Sequence, residues 1–296
     1  MDPRTRADYS AIIDRPPLDL PDGARLVVWP LIAVENWDPA GPMARTVLSP
    51  PGGQTHLPDI PNWTWQEYGM RVGFWRLKAA LDRHDIRATL CLNGSVCKLY
   101  PRLAGAARDA GWEFQAHSYV QTPMHLLADQ RDAIRRTIDA IGDFSGAKPR
   151  GWIGPGLTET LETPELLVEE GIEYVGDWVW DDQPSELRTA AGVLYNIPYS
   201  VELNDIAIML LQHHPARELY DRFMDQFERL YAEGAESARV MAFGVHPYIT
   251  GVPHRIKYFE RVLAEIAAKP GVLFWTGDEI LDWYKAAKAG PERAAG

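Results

Sequence analysis

Chemistry in this chain is concentrated in a few residues that follow apolar, strand-like runs. Glu35 and Asn36 follow Leu26–Val34, and His117 follows Trp112–Ala116. Gly154 lies in the turn Trp152-Ile-Gly-Pro-Gly156, after the run 149–153. Asp177 ends the run from Glu173 and leads to Asp181-Asp182, and His246 follows Arg239–Val245. A carboxylate, two imidazoles, an acidic pair and a glycine turn are the parts hydrolysis needs: a base for water, an acid for a leaving nitrogen, and donors for an oxyanion. Taken singly, each has a plain structural reading. A histidine after a strand is commonly a partly buried, satisfied residue. Asp181-Asp182 before Gln-Pro can form a turn, and Gly-Pro-Gly is a general turn signal. Their joint placement at the ends of successive strands argues for a site.

The elements that must position them alternate. Strand-like runs over 26–34, 88–92, 112–116, 149–153, 173–177, 239–245 and 272–275 are separated by helical spacing. The helices are expected over 65–82, 96–110, 126–141, from Thr163 to the stop at Gly171, and over 215–232, 254–268 and 277–287, with a frayed polar tail beyond. Such alternation predicts parallel strands with crossover helices in an α/β barrel, whose functional groups lie after the strand C-termini. Residues 1–24 are polar and proline-rich and read as a surface arm, with one barrel domain over 25–290. Pro30 inside the first run suggests an edge position or a bulge. The Pro/Gly-rich loop from Glu35 to Trp63 is long enough to expect a functional role.

Composition narrows the class. The 296 residues carry 30 Lys+Arg against 41 Asp+Glu, a net charge of −11, with 46% hydrophobic residues. That apolar content excludes disorder over most of the length, and the acid excess excludes a nucleic-acid partner. The longest apolar run, Leu26–Val34, is far short of the ~20 residues that span a bilayer, so no membrane partner is expected. The two cysteines, Cys91 and Cys97, are too few for a disulfide framework and lack zinc-site spacing. With no apolar signal core after Met1, a cytoplasmic location is expected. Eleven Trp and twelve Tyr are divided in expectation between packing and a ligand pocket.

Ordered along the chain, these residues resemble the motifs of the polysaccharide deacetylase (NodB-homology) superfamily, and more closely its branch of cofactor-independent allantoinases and cyclic imide hydrolases. The resemblance is carried by Tyr68-Gly-Met-Arg-Val-Gly-Phe-Trp-Arg76, Gly111-Trp-Glu-Phe-Gln-Ala-His117 and Gly151-Trp-Ile-Gly-Pro-Gly156. Asp177-Trp-Val-Trp-Asp-Asp-Gln-Pro184 and His246-Pro-Tyr-Ile-Thr-Gly-Val-Pro-His-Arg255 complete it. It spans roughly residues 25–285 and implies an irregular (β/α)7 barrel of the deacetylase type and a homodimer or homotetramer.

The departures from the family pattern matter more. Metal-dependent members have two adjacent acids after strand one and two histidines spaced i, i+4. The matching residues here are Glu35-Asn36 and His117-Gln121. Two of three ligand positions are thus neutral amides, whereas zinc prefers carboxylate, imidazole or thiolate. The expectation is no metal; the remaining way to hold zinc or another divalent ion would use Glu35, His117 and His246, or His125. The resemblance implies a hydrolase of a C–N bond in a small amide, cyclic imide or ureide such as allantoin. In that reading burial raises the pKa of Glu35, which activates water as the base. His246 protonates the leaving nitrogen, and His117 polarises the carbonyl or orients the water. Asn36 and Gln121 contact the substrate, and backbone N–H groups at 152–154, Gly154 among them, form the oxyanion hole. Trp152, Trp178 or Trp180 stacks on a flat ring, and Asp181 or Asp182 accepts ureide N–H groups. Two alternatives stand beside it: a metal-dependent N-deacetylase of an amino sugar or polysaccharide, and a non-catalytic binding protein on the same fold.

Overall fold

The computed structural model describes residues 2–294, which form an α/β distorted barrel of the deacetylase type as a single domain. Its strands are β1 Leu26–Val34, β2 Thr89–Leu92, β3 Glu113–Ala116, β4 Gly151–Trp152, β5 Tyr174–Val175, β6 Ser185–Thr189, β7 Gly192–Asn196, β8 Arg239–Val245 and β9 Val272–Phe274. The helices are α1 Ile60–Tyr68, α2 Phe74–Asp82, α3 Ser95–Leu99, α4 Pro101–Asp109, α5 Gln130–Ser145, α6 Thr163–Glu169, α7 Arg217–Glu233, α8 Ile256–Ala267 and α9 Gly277–Ala294. The sheet runs β6-β7-β5-β4-β3-β2-β1-β8, with β9 also on β1, and every pairing is parallel except β6 with β7. All seven expected strands form. The polar hairpin β6–β7 was not anticipated, and neither was the π-helical turn Ile206–Leu211. The last helix extends past Ala287 to Ala294, where a frayed tail was expected; residues 295–296 lie outside the described residues. No helix among the described residues is long and apolar enough to cross a membrane.

The near-continuous apolar run of β1 follows from its position, with β2 and β9 on one side and β8 on the other. Its alternate residues serve two cores. Leu26, Val28, Ile32 and Val34 pack outward against helices, while Val27, Trp29 and Leu31 fill the barrel interior with Cys91, Ile153 and Tyr174. Pro30 is therefore in a central strand and not at an edge. Its tolerance has a simple origin. The Val28 carbonyl points toward β9 and the Val34 carbonyl toward β2, so Pro30, of the same parity, faces that side too. Residues 26–28 pair with β9 and residues 31–34 with β2, and the missing N–H of Pro30 falls in the gap between them.

The arm packs on its own barrel. Arg6, only 1% exposed, pairs with Glu165 at 2.8 Å and donates to the Leu161 carbonyl, and Arg15 pairs with Asp181 at 2.7 Å. α1 and α2 are one helical run joined by a π-helical turn at Gly69–Gly73. The glycines of that turn let the chain after β8 press against it. A Cβ on Gly69 would lie 2.7 Å from the Tyr248 nitrogen, and one on Gly73 would meet the Pro247 carbonyl. The motif glycines thus seat the segment that carries His246.

Candidate active site

The C-terminal ends of β1, β3 and β8 bring Glu35, His117 and His246 to one cavity of about 960 Å³. Asn36, Gln121 and Gly154 line it as well, so six of the ten expected site residues converge. All three principal side chains are buried. Glu35 sits among donors. Trp37 Nε1 donates to Oε2 at 2.9 Å, the Tyr248 hydroxyl to Oε2 at 3.1 Å, and Gln121 Nε2 to Oε1 at 2.9 Å. His246 Nε2 stands 3.5 Å from Oε1. Trp37, Trp65 and Tyr248 support this arrangement edge to face, with centroids 4.8–6.4 Å apart.

His246 is held from behind by Asp205, which is fully buried. Nδ1–H donates to Asp205 Oδ1 at 2.6 Å, and Oδ2 accepts from the His246 backbone N–H at 2.7 Å and from Thr250 Oγ1 at 2.6 Å. Burial alone would push the imidazole down, but Asp205 and Glu35 outweigh it and lift His246 to about 10, so it is an imidazolium at neutral pH. Glu35 departs from expectation. Burial does push it up, but the hydrogen bond and charge of His246 and the Trp37 donor bring it down to about 2. It is an ionised anchor, too weak a base to take a proton from water at neutral pH.

His117 is the opposite case. Its Nδ1 lies 2.6 Å from the Ile153 carbonyl, which can only accept, so Nδ1 carries the proton. Burial lowers its pKa, and the ring is neutral. Nε2 makes no hydrogen bond among the described residues, which leaves a lone pair for a substrate or water at the cavity His117 lines. Asn93 ties the strand ends together, with its amide nitrogen donating to the His117 carbonyl and its oxygen accepting from the Asn36 N–H at 2.7 Å.

Four expected contacts do not form. Trp152 is fully buried with its side chain in the outer core, because alternation along β4 puts Ile153 on the cavity face instead. After β5 the chain descends the outside of the barrel. Asp182 O accepts from Val240 N–H at the start of β8, the end far from His246, and Asp181 pairs with Arg15 of the arm. Trp180 is 45% exposed, donates to Ser185 Oγ and tilts against Trp178, whose own indole N–H is given to Glu159. The oxyanion hole at 152–154 is also overturned. Ile153 N–H is bonded to Ala116 O and Gly154 N–H to the Asp177 carboxylate at 2.9 and 3.0 Å. Sequence reading missed Asp205, Trp37, Tyr248 and Asn93. Only Asp205 carried a signal, as an acid directly before the apolar run Ile206–Leu211.

The family's metal does not fit these residues. Asn36 turns its amide to donate to Ser95 Oγ at 3.0 Å, and Gln121 presents N–H, not oxygen, to Glu35. His246 has Nδ1 on Asp205 and Nε2 toward Glu35, and His125 is exposed and outside the cavity lining. Among the described residues no group of three or more His, Cys, Asp and Glu is placed to hold an ion.

Comparison with known proteins follows the same lines. Residues 65–175 match the polysaccharide deacetylase family model. A Schizosaccharomyces pombe protein described as "Putative polysaccharide deacetylase" is 27% identical over 242 residues, covering 74% of this chain and 75% of its own. The peptidoglycan deacetylase of Helicobacter pylori is 25% identical over 265 residues, covering 78% and 89%. The crystal structure of PuuE allantoinase superposes with a TM-score of 0.83 at 22% identity, covering 95% of this chain and 98% of that one, and so shares the fold. By its motifs, the match over residues 65–175 and these relatives, the chain is similar to the polysaccharide deacetylases, hydrolases of carbon–nitrogen bonds other than peptide bonds.

Proposed function

We propose that the protein hydrolyses a C–N bond in a small amide, cyclic imide or ureide without a metal. The observation that carries this reading is the hydrogen-bonding of Glu35. The amide at a family ligand position, Gln121, donates to the carboxylate together with Trp37 and Tyr248, and His246 faces it as an imidazolium. An ion would have to displace these donors, whereas a neutral carbonyl can use the charge they hold in place.

The chain's own groups supply the steps. Water is bound at His117 Nε2 and gives up a proton there as its oxygen adds to the carbonyl carbon. The oxyanion formed is stabilised by the imidazolium of His246, whose Nε2–H is held only loosely by Glu35 at 3.5 Å. The C–N bond breaks as His246 passes its proton to the leaving nitrogen, and the proton His117 took from water is released to solvent, from which His246 is reprotonated. The net result is OH on carbon and H on nitrogen. Glu35 keeps its original importance in a changed role: it maintains the charge on His246 and offsets the charge that appears on His117.

The cavity supports a small substrate. The 36–45 segment walls one side and residues 201–211 another, and Leu31, Ala33, Cys91 and Ile153 contribute to its apolar lining. The names of the two sequence relatives favour a second reading, deacetylation of an N-acetylated glycan. A hydrolysis panel of allantoin, hydantoin, succinimide and acetylated chito-oligomers separates the two. Turnover confined to the chito-oligomers sinks the small-substrate reading.

A further inference from the structure

The cavity contains one more charged group that the proposed reaction does not use. Arg45 is the one lysine or arginine side chain among the described residues that line it. The chain is acid-rich, and most of its arginines have a carboxylate partner, yet none of the described salt bridges includes Arg45. Its Nη1 reaches only the Ala44 carbonyl at 3.1 Å, and its Nε is buried without any partner. A buried, unpaired guanidinium N–H is costly unless something on the cavity side takes it.

The position is also built. Asn62, 1% exposed on α1, accepts from the Val47 and Leu48 N–H groups at 2.8 and 3.0 Å. Its amide nitrogen donates to the Leu48 carbonyl at 2.9 Å and to Asp59 at 2.8 Å. The turn that presents Arg45 is thereby clamped to the helix whose continuation seats Tyr248. The charge of Arg45 is near enough to act on the Tyr248 hydroxyl, the donor to Glu35. The lining holds two carboxylates: Glu35 is taken up by Trp37, Tyr248 and Gln121, and Asp38 is exposed and accepts from the Ala40 N–H at 2.9 Å.

We propose that Arg45 recognises a carboxylate on the substrate, so that the C–N bond cleaved at His246 belongs to an anionic molecule such as a cyclic ureido acid or an N-acyl amino acid. A planar guanidinium matches a carboxylate with paired N–H donors. A single cation among apolar neighbours, Met43 and Ala44, suits a monoanion better than a phosphate ester. This inference rests on the small-amide reading above, and its test keeps the two apart.

The test compares hydantoin with hydantoin-5-acetate, which share a ring and differ in the carboxylate. Binding is measured by titration calorimetry for the wild type, Arg45→Met and Arg45→Lys, and hydrolysis of both compounds is followed separately. The acid is expected to bind the wild type on the order of ten- to hundredfold tighter than the neutral ring. That preference should collapse to about twofold or less in Arg45→Met and survive in part in Arg45→Lys. Equal wild-type affinities, no binding of the acid, or a preference that persists in Arg45→Met overturns the inference. Arg45-dependent binding without cleavage of either ring leaves the inference standing and counts against the hydrolase reading for such rings. Cleavage of hydantoin with no preference for the acid does the reverse.

Discussion

Placing a methyl group on Gly69 tests whether helix–loop packing positions the active site. The added Cβ would lie 2.7 Å from the Tyr248 nitrogen, 2.9 Å from its Cβ and 3.0 Å from its Cα. The closest of these falls 0.7 Å short of an ordinary 3.4 Å contact, and the neighbour is backbone, which cannot rotate away. If the Tyr248 segment retreats by that amount, its hydroxyl, now 3.1 Å from Glu35, moves to about 3.8 Å and the bond is lost. His246 lies two residues earlier in the same segment. A displacement approaching 1 Å in a catalytic constellation costs up to ~100-fold in rate. Overpacking costs about 1–3 kcal/mol, offset by up to ~1 kcal/mol from replacing a helical glycine by alanine. Gly69→Ala should therefore lose about ten- to hundredfold in kcat while losing only about 0–2 kcal/mol of stability by urea titration, so that it stays folded. Gly105→Ala in α4, where a Cβ meets nothing within 4 Å, is the control and should keep kcat while gaining up to ~1 kcal/mol of stability. Wild-type kcat in folded Gly69→Ala would refute the positioning argument, as would an activity loss fully accounted for by unfolding.

Asp205→Asn removes the nearest charge that keeps His246 protonated, so the imidazole should deprotonate well below the wild-type value of about 10 when followed by nitrogen-edited NMR; an unmoved midpoint contradicts the assignment. kcat/KM should rise as pH passes the lowered value of His117, below 6.5, stay level, and fall near 10 as His246 loses its proton. A fall already at pH 7–8 is incompatible with the proposed roles. Glu35→Gln leaves a buried imidazolium with one carboxylate partner fewer, which should cost about 3–5 kcal/mol in denaturant titrations near pH 6 together with most turnover. The sign is fixed by the two shifts. The raised His246 contributes stability in full below about 6.5 and loses it as pH rises through about 10. The depressed Glu35 contributes above about 4.5 and loses it as pH falls through about 2. The wild-type–variant gap should thus narrow at both extremes.

Much of the frame is legible in the sequence because burial on both faces leaves long apolar runs. β1 and β8 have the boundaries their residues suggest for this reason. β6 and β7 escape notice because their polar stretch buries little beyond Leu187, Leu194 and Asn196. Glu35, His117 and His246 are readable from their place after strands, but their protonation is not. It depends on Asp205, 41 residues from His246, and on Trp37 and Tyr248, all joined only by folding. The error at Trp152 is one of alternation: a strand of two residues gives no pattern from which to choose a face, and the neighbouring Ile153 takes the cavity side. The error at Trp180, Asp181 and Asp182 is one of path, because a residue five to seven positions beyond a strand end can already have left the rim. The motifs mark the fold, whereas the proposed chemistry turns on the positions where this chain departs from them, Asn36 and Gln121.

In the proposed reaction His117 and His246 take the place of a metal. The most direct test is turnover of the best substrate from the panel by protein stripped with a chelator, with residual metal measured by mass spectrometry. Undiminished kcat is expected at metal contents far below one ion per chain, with no gain on adding zinc. Loss of activity on stripping, restored by a stoichiometric divalent ion, would contradict it.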